Sequence, residues 1–213
     1  EEQAQEIQKY YDKCTEDGSN PEQVEESKKA MSRMRAVLGN PDRIKKLAAD
    51  IVQHYEALCG EKPEIVQKAM IVCSDRELAF HLMSKIIDLR PDWGIARKAE
   101  DTSKLDEEKL KKLIALPKIN LVATQGTDKD AAVPGLYDAC GTKEHRKKLD
   151  KQFKNNDSNF KIAVVVDMWI TGFDVPSLAV MYIDKPLQKH TLIQTISRVN
   201  RVFEGKDRGL VVD

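Results

Sequence analysis

The chain has 213 residues, 41% of them hydrophobic and 33% charged, and its 35 basic and 35 acidic side chains leave a formal net charge of zero. That length is enough for one sizeable core with an appendage, and the balance of apolar and charged residues excludes a disordered or membrane-embedded chain. No apolar run approaches the roughly 18 residues of a membrane helix, and neutrality means that any nucleic-acid binding has to rest on a local basic face.

The first residues, EEQAQEIQKYYDKC, are acidic and helix-prone and lack the basic start and apolar stretch of an export signal, so a cytoplasmic location is expected. Two helices are predicted at Glu22 to Leu38 and Asp42 to Cys59. Both lack internal proline, and the second carries Ile44, Leu47, Ala48, Ile51, Val52 and Tyr55 at three- and four-residue steps. Pro21 and Pro41 stand at the helix starts, Gly39 and Gly60 at the ends. Residues 1–62 thus read as a helical extension and 63–213 as the main domain.

After Pro63 the pattern alternates. It runs through a strand KAMIVC, a helix Arg76 to Leu89, a weak strand near Gly94 to Lys98, a helix Asp106 to Leu116 and a strand Ile119 to Thr124. A surface loop follows at Gly126 to Gly141, then a helix Glu144 to Phe153, strands KIAVVVD and LAVMYID, a helix His190 to Val199 and a last run GLVVD. Continuous β-branched runs alternating with amphipathic helices call for a parallel sheet covered on both faces, so the fold class is α/β. In such sheets chemistry gathers beyond the carboxyl ends of the strands. That rule points to the loops after Cys73 and Asp167 and to the helix before GLVVD. The chain starts inside helix-like sequence and stops on an apolar strand, as an excised piece would.

No GxxxxGK[ST] loop is present, because Gly141, Thr142 and Lys143 lack the glycine that should precede them. The four cysteines, Cys14, Cys59, Cys73 and Cys140, and the four histidines have no metal-ligand spacing, so no metal site is expected on this chain and the cysteines read as buried thiols. Trp93 and Trp169 read as packing anchors. In QTISRVNR, Gln194, Arg198 and Arg201 project from one helix face. Two arginines on one face repel unless an anion lies opposite, so the pair is either a solvated face with surface salt bridges or a site for an anion such as phosphate. Upstream, VVVDMWITGFDVPSL places Thr171, Gly172 and Asp174 in a loop after a buried strand. Glycine there allows close backbone approach, and the carboxylate accepts from a ribose hydroxyl or orients an arginine. Arg146, Lys147, Lys148, Lys151 and Lys154 make a basic helix, either a solvated face or a contact for DNA phosphate.

The order of these segments resembles the second motor domain of superfamily 2 helicases and translocases. KAMIVCSDRELAFHL is similar to motif IV, HRKKLDKQF to the helix before motif V, VVVDMWITGFDVPSL to motif V and QTISRVNR to motif VI. The run from DMWITGFDVPSL to GLVVD resembles the motor (R) subunit of type I restriction enzymes. The likeness spans Lys68 to Asp213.

The resemblance implies a RecA-like domain whose Arg198 and Arg201 are arginine fingers facing ATP, with Mg2+, held on a preceding RecA-like domain, and whose Gln194 lies near the γ-phosphate. It implies that Gly172 and Asp174 link the nucleotide to DNA, and that Ser74 and Arg76 either contact the DNA backbone or belong to a helix start capped by Ser74 or Asp75. Where the family often has glycine before the first of these arginines, this chain has Ser197. The implied partners are double-stranded DNA, a nuclease domain and the first motor domain of the same subunit, and modification and specificity subunits, with no membrane. On this reading the isolated chain holds half an ATPase site and is inactive alone. The alternatives are another superfamily 2 helicase or remodeller, or a non-catalytic nucleic-acid-binding module of the same fold.

Overall fold

The computed structural model describes residues 21–126, 133–166, 168–169, 173–186, 193, 196–197, 199, 201, 203, 206 and 209–213. The chain divides into two compact units, Glu1–Ile44 and Lys45–Asp213. In the first, helix α1 (Pro21–Leu38) closes with the Gly39 amide donating to the Arg35 carbonyl at 2.9 Å. Helix α2 (Pro41–Glu61) starts where the Asn40 side chain accepts from the Asp42 and Arg43 amides at 2.9 and 3.2 Å. Such a cap satisfies donors that the first helical turn leaves unpaired. The helix continues through Gly60, two residues beyond the predicted end, and its larger part belongs to the second unit.

The described residues of that unit form a five-stranded, wholly parallel sheet in the order β2-β3-β1-β4-β5, from strands β1 (Lys68–Cys73), β2 (Ile119–Val122), β3 (Ile162–Val165), β4 (Leu178–Asp184) and β5 (Leu210–Val212). β1 is central and buried along its whole length, as the apolar run Ala69 to Cys73 requires, and that burial includes Lys68 at its start. Between β1 and β2 come helix α3 (Arg76–Leu89), short 3-10 turns at Pro91–Gly94 and Thr102–Lys104, and helix α4 (Glu107–Lys112). Between β2 and β3 come α5 (Leu136–Cys140) and α6 (Lys143–Lys154).

Alternation along the strands sends side chains to two cores. Met70, Val72, Ala163, Val165, Met181 and Ile183 meet Leu149 and Phe153 of α6, together with Trp169, Phe173 and Val199. On the other side lie Leu82 and Ile86 of α3 and Tyr55 of α2, all buried. Tyr55 donates to the Gln67 carbonyl at 2.7 Å and meets Trp93 edge-on, while His54 pairs with the Tyr182 hydroxyl at 2.8 Å.

Three local expectations need correction. Gly94 to Lys98 is not a strand: Pro91 starts a 3-10 turn, and Arg97 makes one antiparallel bridge to Leu116. The predicted helix Asp106 to Leu116 stops at Lys112, since Leu113 and Leu116 are drawn into the core and Pro117 disfavours helical backbone before it. The stretch Gly126 to Gly141 is not all loop, because α5 forms within it, entered and left by Gly135 and Gly141 at φ 88° and 59°.

Candidate functional site

The first cluster lies at the carboxyl ends of the strands. Asp75 caps α3, accepting from the Leu78 amide at 2.9 Å. Ser74 is left to tie two strand ends together, donating to the Asp184 carbonyl at 3.1 Å. Arg76 reaches across to the Thr124 carbonyl at 3.2 Å, beyond the end of β2. It passes over Gly126, where a β-carbon would sit 2.7 Å from the guanidinium and push it aside. Nothing in the local pattern marks Gly126, because its role depends on a residue fifty positions away.

The start of α6 lies on the same side, since this helix leads from the carboxyl end of β2 back toward the start of β3. Thr142 caps it by accepting from the His145 amide at 3.2 Å, and Arg146 folds back on the Gly141 carbonyl at 2.8 Å. Lys147 is exposed. Ser74, Arg76, Arg146 and Lys147 therefore gather at one end of the sheet, with basic groups beside helix starts, a setting that favours anions.

The second cluster lies at the opposite end. The connection leaving β3 runs down the sheet face, with Trp169 and Phe173 buried against Phe153, before it enters β4. Asp174 consequently sits beside the start of β4. There Lys68 donates its amide to the Ser177 carbonyl at 3.0 Å, and the Leu178 amide closes a turn on Val175 at 3.0 Å. Residues 193, 196–197 and 199 are helical, and Arg201 follows them. Its Nε stands 3.5 Å from the Asp174 carboxylate, with the two side chains 49% and 53% exposed. An ion pair this open to water contributes about 0–1 kcal/mol, too little to explain the arrangement as a fold-stabilising device.

The carboxyl-end rule thus locates Ser74 and Arg76 but not Asp174 and Arg201, because the chain travels the length of the sheet after β3 before reaching Asp174. At about 3.3 Å per residue, the six residues of β1 separate the two clusters by about 20 Å. Thr171, Gly172, Gln194 and Arg198 lie outside the described residues. Among the described residues no group of His, Cys, Asp and Glu suits a metal ion, and no helix is long and apolar enough to cross a membrane. Cys73 and Cys140 are buried and Cys59 half-buried, and none of the three forms a disulfide among the described residues.

Residues 95–213 match the family model described as type I restriction enzyme subunit R domain 3. The chain is 35% identical over 195 residues to the type I restriction enzyme HindI endonuclease subunit of Haemophilus influenzae, covering 89% of this chain and 16% of that protein. It is 33% identical over 204 residues to the putative type I restriction enzyme MjaIXP endonuclease subunit of Methanocaldococcus jannaschii, covering 95% of this chain and 17% of that protein. Among solved structures, the crystal structure of T4 UvsW aligns over 96% of this chain and 29% of its own, at 16% identity and a TM-score of 0.48. The chain therefore spans about a sixth of the length of the curated relatives it matches. An all-parallel sheet wrapped by helices, the family model and the two relatives lead to one assignment: the chain belongs to the R subunits of type I restriction enzymes.

Proposed function

We propose that this chain is the second RecA-like motor domain of an ATP-driven, double-stranded-DNA translocase and supplies half of an ATPase site. The observation that carries the reading is the Asp174–Arg201 pair. An arginine at the end of a helix is oriented by a carboxylate through Nε, with half of each side chain open to solvent. No other partner of the Arg201 side chain is found among the described residues. A guanidinium held in this way keeps its terminal N–H groups for phosphoryl oxygens.

Arg201, with Arg198 and Gln194 from the same helix, acts on ATP and Mg2+ held by a preceding motor domain, and Asp174 and Gly172 shape its approach. At the other end of the sheet, Ser74, Arg76, Arg146 and Lys147, with Thr171, contact the DNA backbone. Closing the two motor lobes on ATP and reopening them after hydrolysis moves the DNA. The remaining partners are a nuclease domain in the same subunit and modification and specificity subunits, all in the cytoplasm.

The test is the DNA-stimulated ATPase of the full-length subunit carrying Arg201→Ala. A loss on the order of 10³ in kcat is expected for an arginine finger. Unchanged turnover refutes the reading.

A further inference from the structure

The Asp174–Arg201 pair orients the guanidinium but is too exposed to hold its two backbone segments together, so something else must keep those segments in place. Lys206 stands where that is done. Its backbone amide closes a turn on the Phe203 carbonyl at 2.9 Å, which folds the chain back toward the helix it has just left. Its Nζ then donates to the carbonyls of Val199 at 2.5 Å, Leu178 at 2.7 Å and Pro176 at 3.3 Å. An ammonium has three donors, and here three carbonyls accept them.

Those carbonyls come from two segments. Val199 is the last described helical residue, two positions before Arg201. Pro176 follows Asp174 by two positions, and Leu178 opens β4. A cation at a helix carboxyl end is also favoured by the helix dipole. Gly209 completes the closure, because a β-carbon there would run into the backbone carbonyl of Val199.

We infer that Lys206 is the positioning residue of the site, fixing the separation of Arg201 and Asp174 by tying the end of the arginine-bearing helix to the approach to β4. Lys206 itself does not reach the nucleotide. It acts through Arg201, and the inference rests on the reading of Arg201 given above. Displacing a catalytic group by about 1 Å costs about 10²-fold in rate, so a tether of this kind is felt in turnover more than in substrate affinity.

The experiment uses the full-length subunit and DNA-stimulated ATP hydrolysis, each variant assayed well below its own unfolding midpoint. Lys206→Met is expected to lower kcat roughly ten- to a hundredfold, with KM for ATP changed less than about threefold. The double variant Lys206→Met with Arg201→Ala should be no slower than Arg201→Ala alone, since two residues acting as one unit are not additive. If Lys206→Met does not fold, Gly209→Ala disturbs the same Val199 carbonyl and should give the same non-additive loss. A harmless Lys206→Met, or losses that multiply with those of Arg201→Ala, overturns the inference while leaving the finger reading intact. An Arg201→Ala subunit with unchanged kcat overturns the finger reading itself, and the inference with it.

Discussion

Trp169 and Phe173 stack with ring centroids 4.1 Å apart and planes inclined by 3°, and both rings lie against Phe153, at 5.4 and 6.1 Å. Trp169 holds this place at φ 68°, a left-handed backbone that costs a non-glycine residue about 1–2 kcal/mol. Burial of its indole against two phenyl rings offsets that cost. The stack carries the chain down the sheet face and delivers Asp174 to the start of β4.

Phe173→Ala is therefore expected to destabilise the domain by about 3–5 kcal/mol, the usual loss for a buried aromatic truncated to alanine. Phe173→Leu, which keeps most of the volume but removes the stacking, should cost about 1 kcal/mol. Urea unfolding measures both. A loss below about 1 kcal/mol for the alanine variant would show that the stack follows the fold rather than supporting it.

The parallel sheet was legible in the sequence because KAMIVC, KIAVVVD and LAVMYID are apolar apart from a charged residue at one or both ends, and only strands covered on both faces tolerate that. The spacing of the arginines and the loop at Asp174 marked candidates in the sequence, but not where Asp174 and Arg201 stand in the fold. A rule about strand ends says where a loop begins, and the stack of Trp169 and Phe173 decides where it goes. Lys206 was invisible for a related reason. One lysine among many charged residues differs from the rest only by the three carbonyls around it, and these come from residues as distant as Pro176. Gly126 likewise matters only through Arg76.

Lys68 gives a pH dependence. Its ammonium is buried at the start of β1, donating to the Phe153 and Asn155 carbonyls at the end of α6, and burial lowers its pKa to about 7. The unfolded chain holds that proton up to about pH 10.4. Between pH 7 and that value the unfolded state therefore binds more protons than the folded one, and stability rises with pH. From pH 7 to pH 9 the gain is about 2 kcal/mol. Urea midpoints should move upward over that range, and much less in Lys68→Met. An equal upward shift in the variant would assign the effect to other groups, of which Lys161 and Lys206 are also pushed down by burial.

Arg76 tests the DNA contacts proposed for the carboxyl end of the sheet. A residue that meets a phosphate releases about one counterion on binding. Arg76→Ala in the full-length subunit should therefore weaken DNA binding across sequences and reduce the slope of log K against log salt by about 1. The same change should leave KM for ATP unaltered, because the two clusters are about a strand length apart. An unchanged salt slope would reduce Arg76 to a tie between α3 and the Thr124 carbonyl.

Asp174→Asn separates orientation from stability. The amide keeps the size of the side chain and an acceptor oxygen but removes the charge facing the Arg201 Nε. With both groups about half exposed, the folded state should lose no more than about 0.5–1 kcal/mol, and the urea midpoint should barely move. If Arg201 is the finger proposed above, turnover should respond more strongly, because a guanidinium released from its carboxylate samples other rotamers and would be aligned on a phosphoryl group only part of the time. A fall of about tenfold in kcat, with little change in stability, is the expected pairing. Were the midpoint to drop while kcat stayed level, the pair would be a surface ion pair that happens to lie beside the helix end, and Arg201 would have to be oriented by another group.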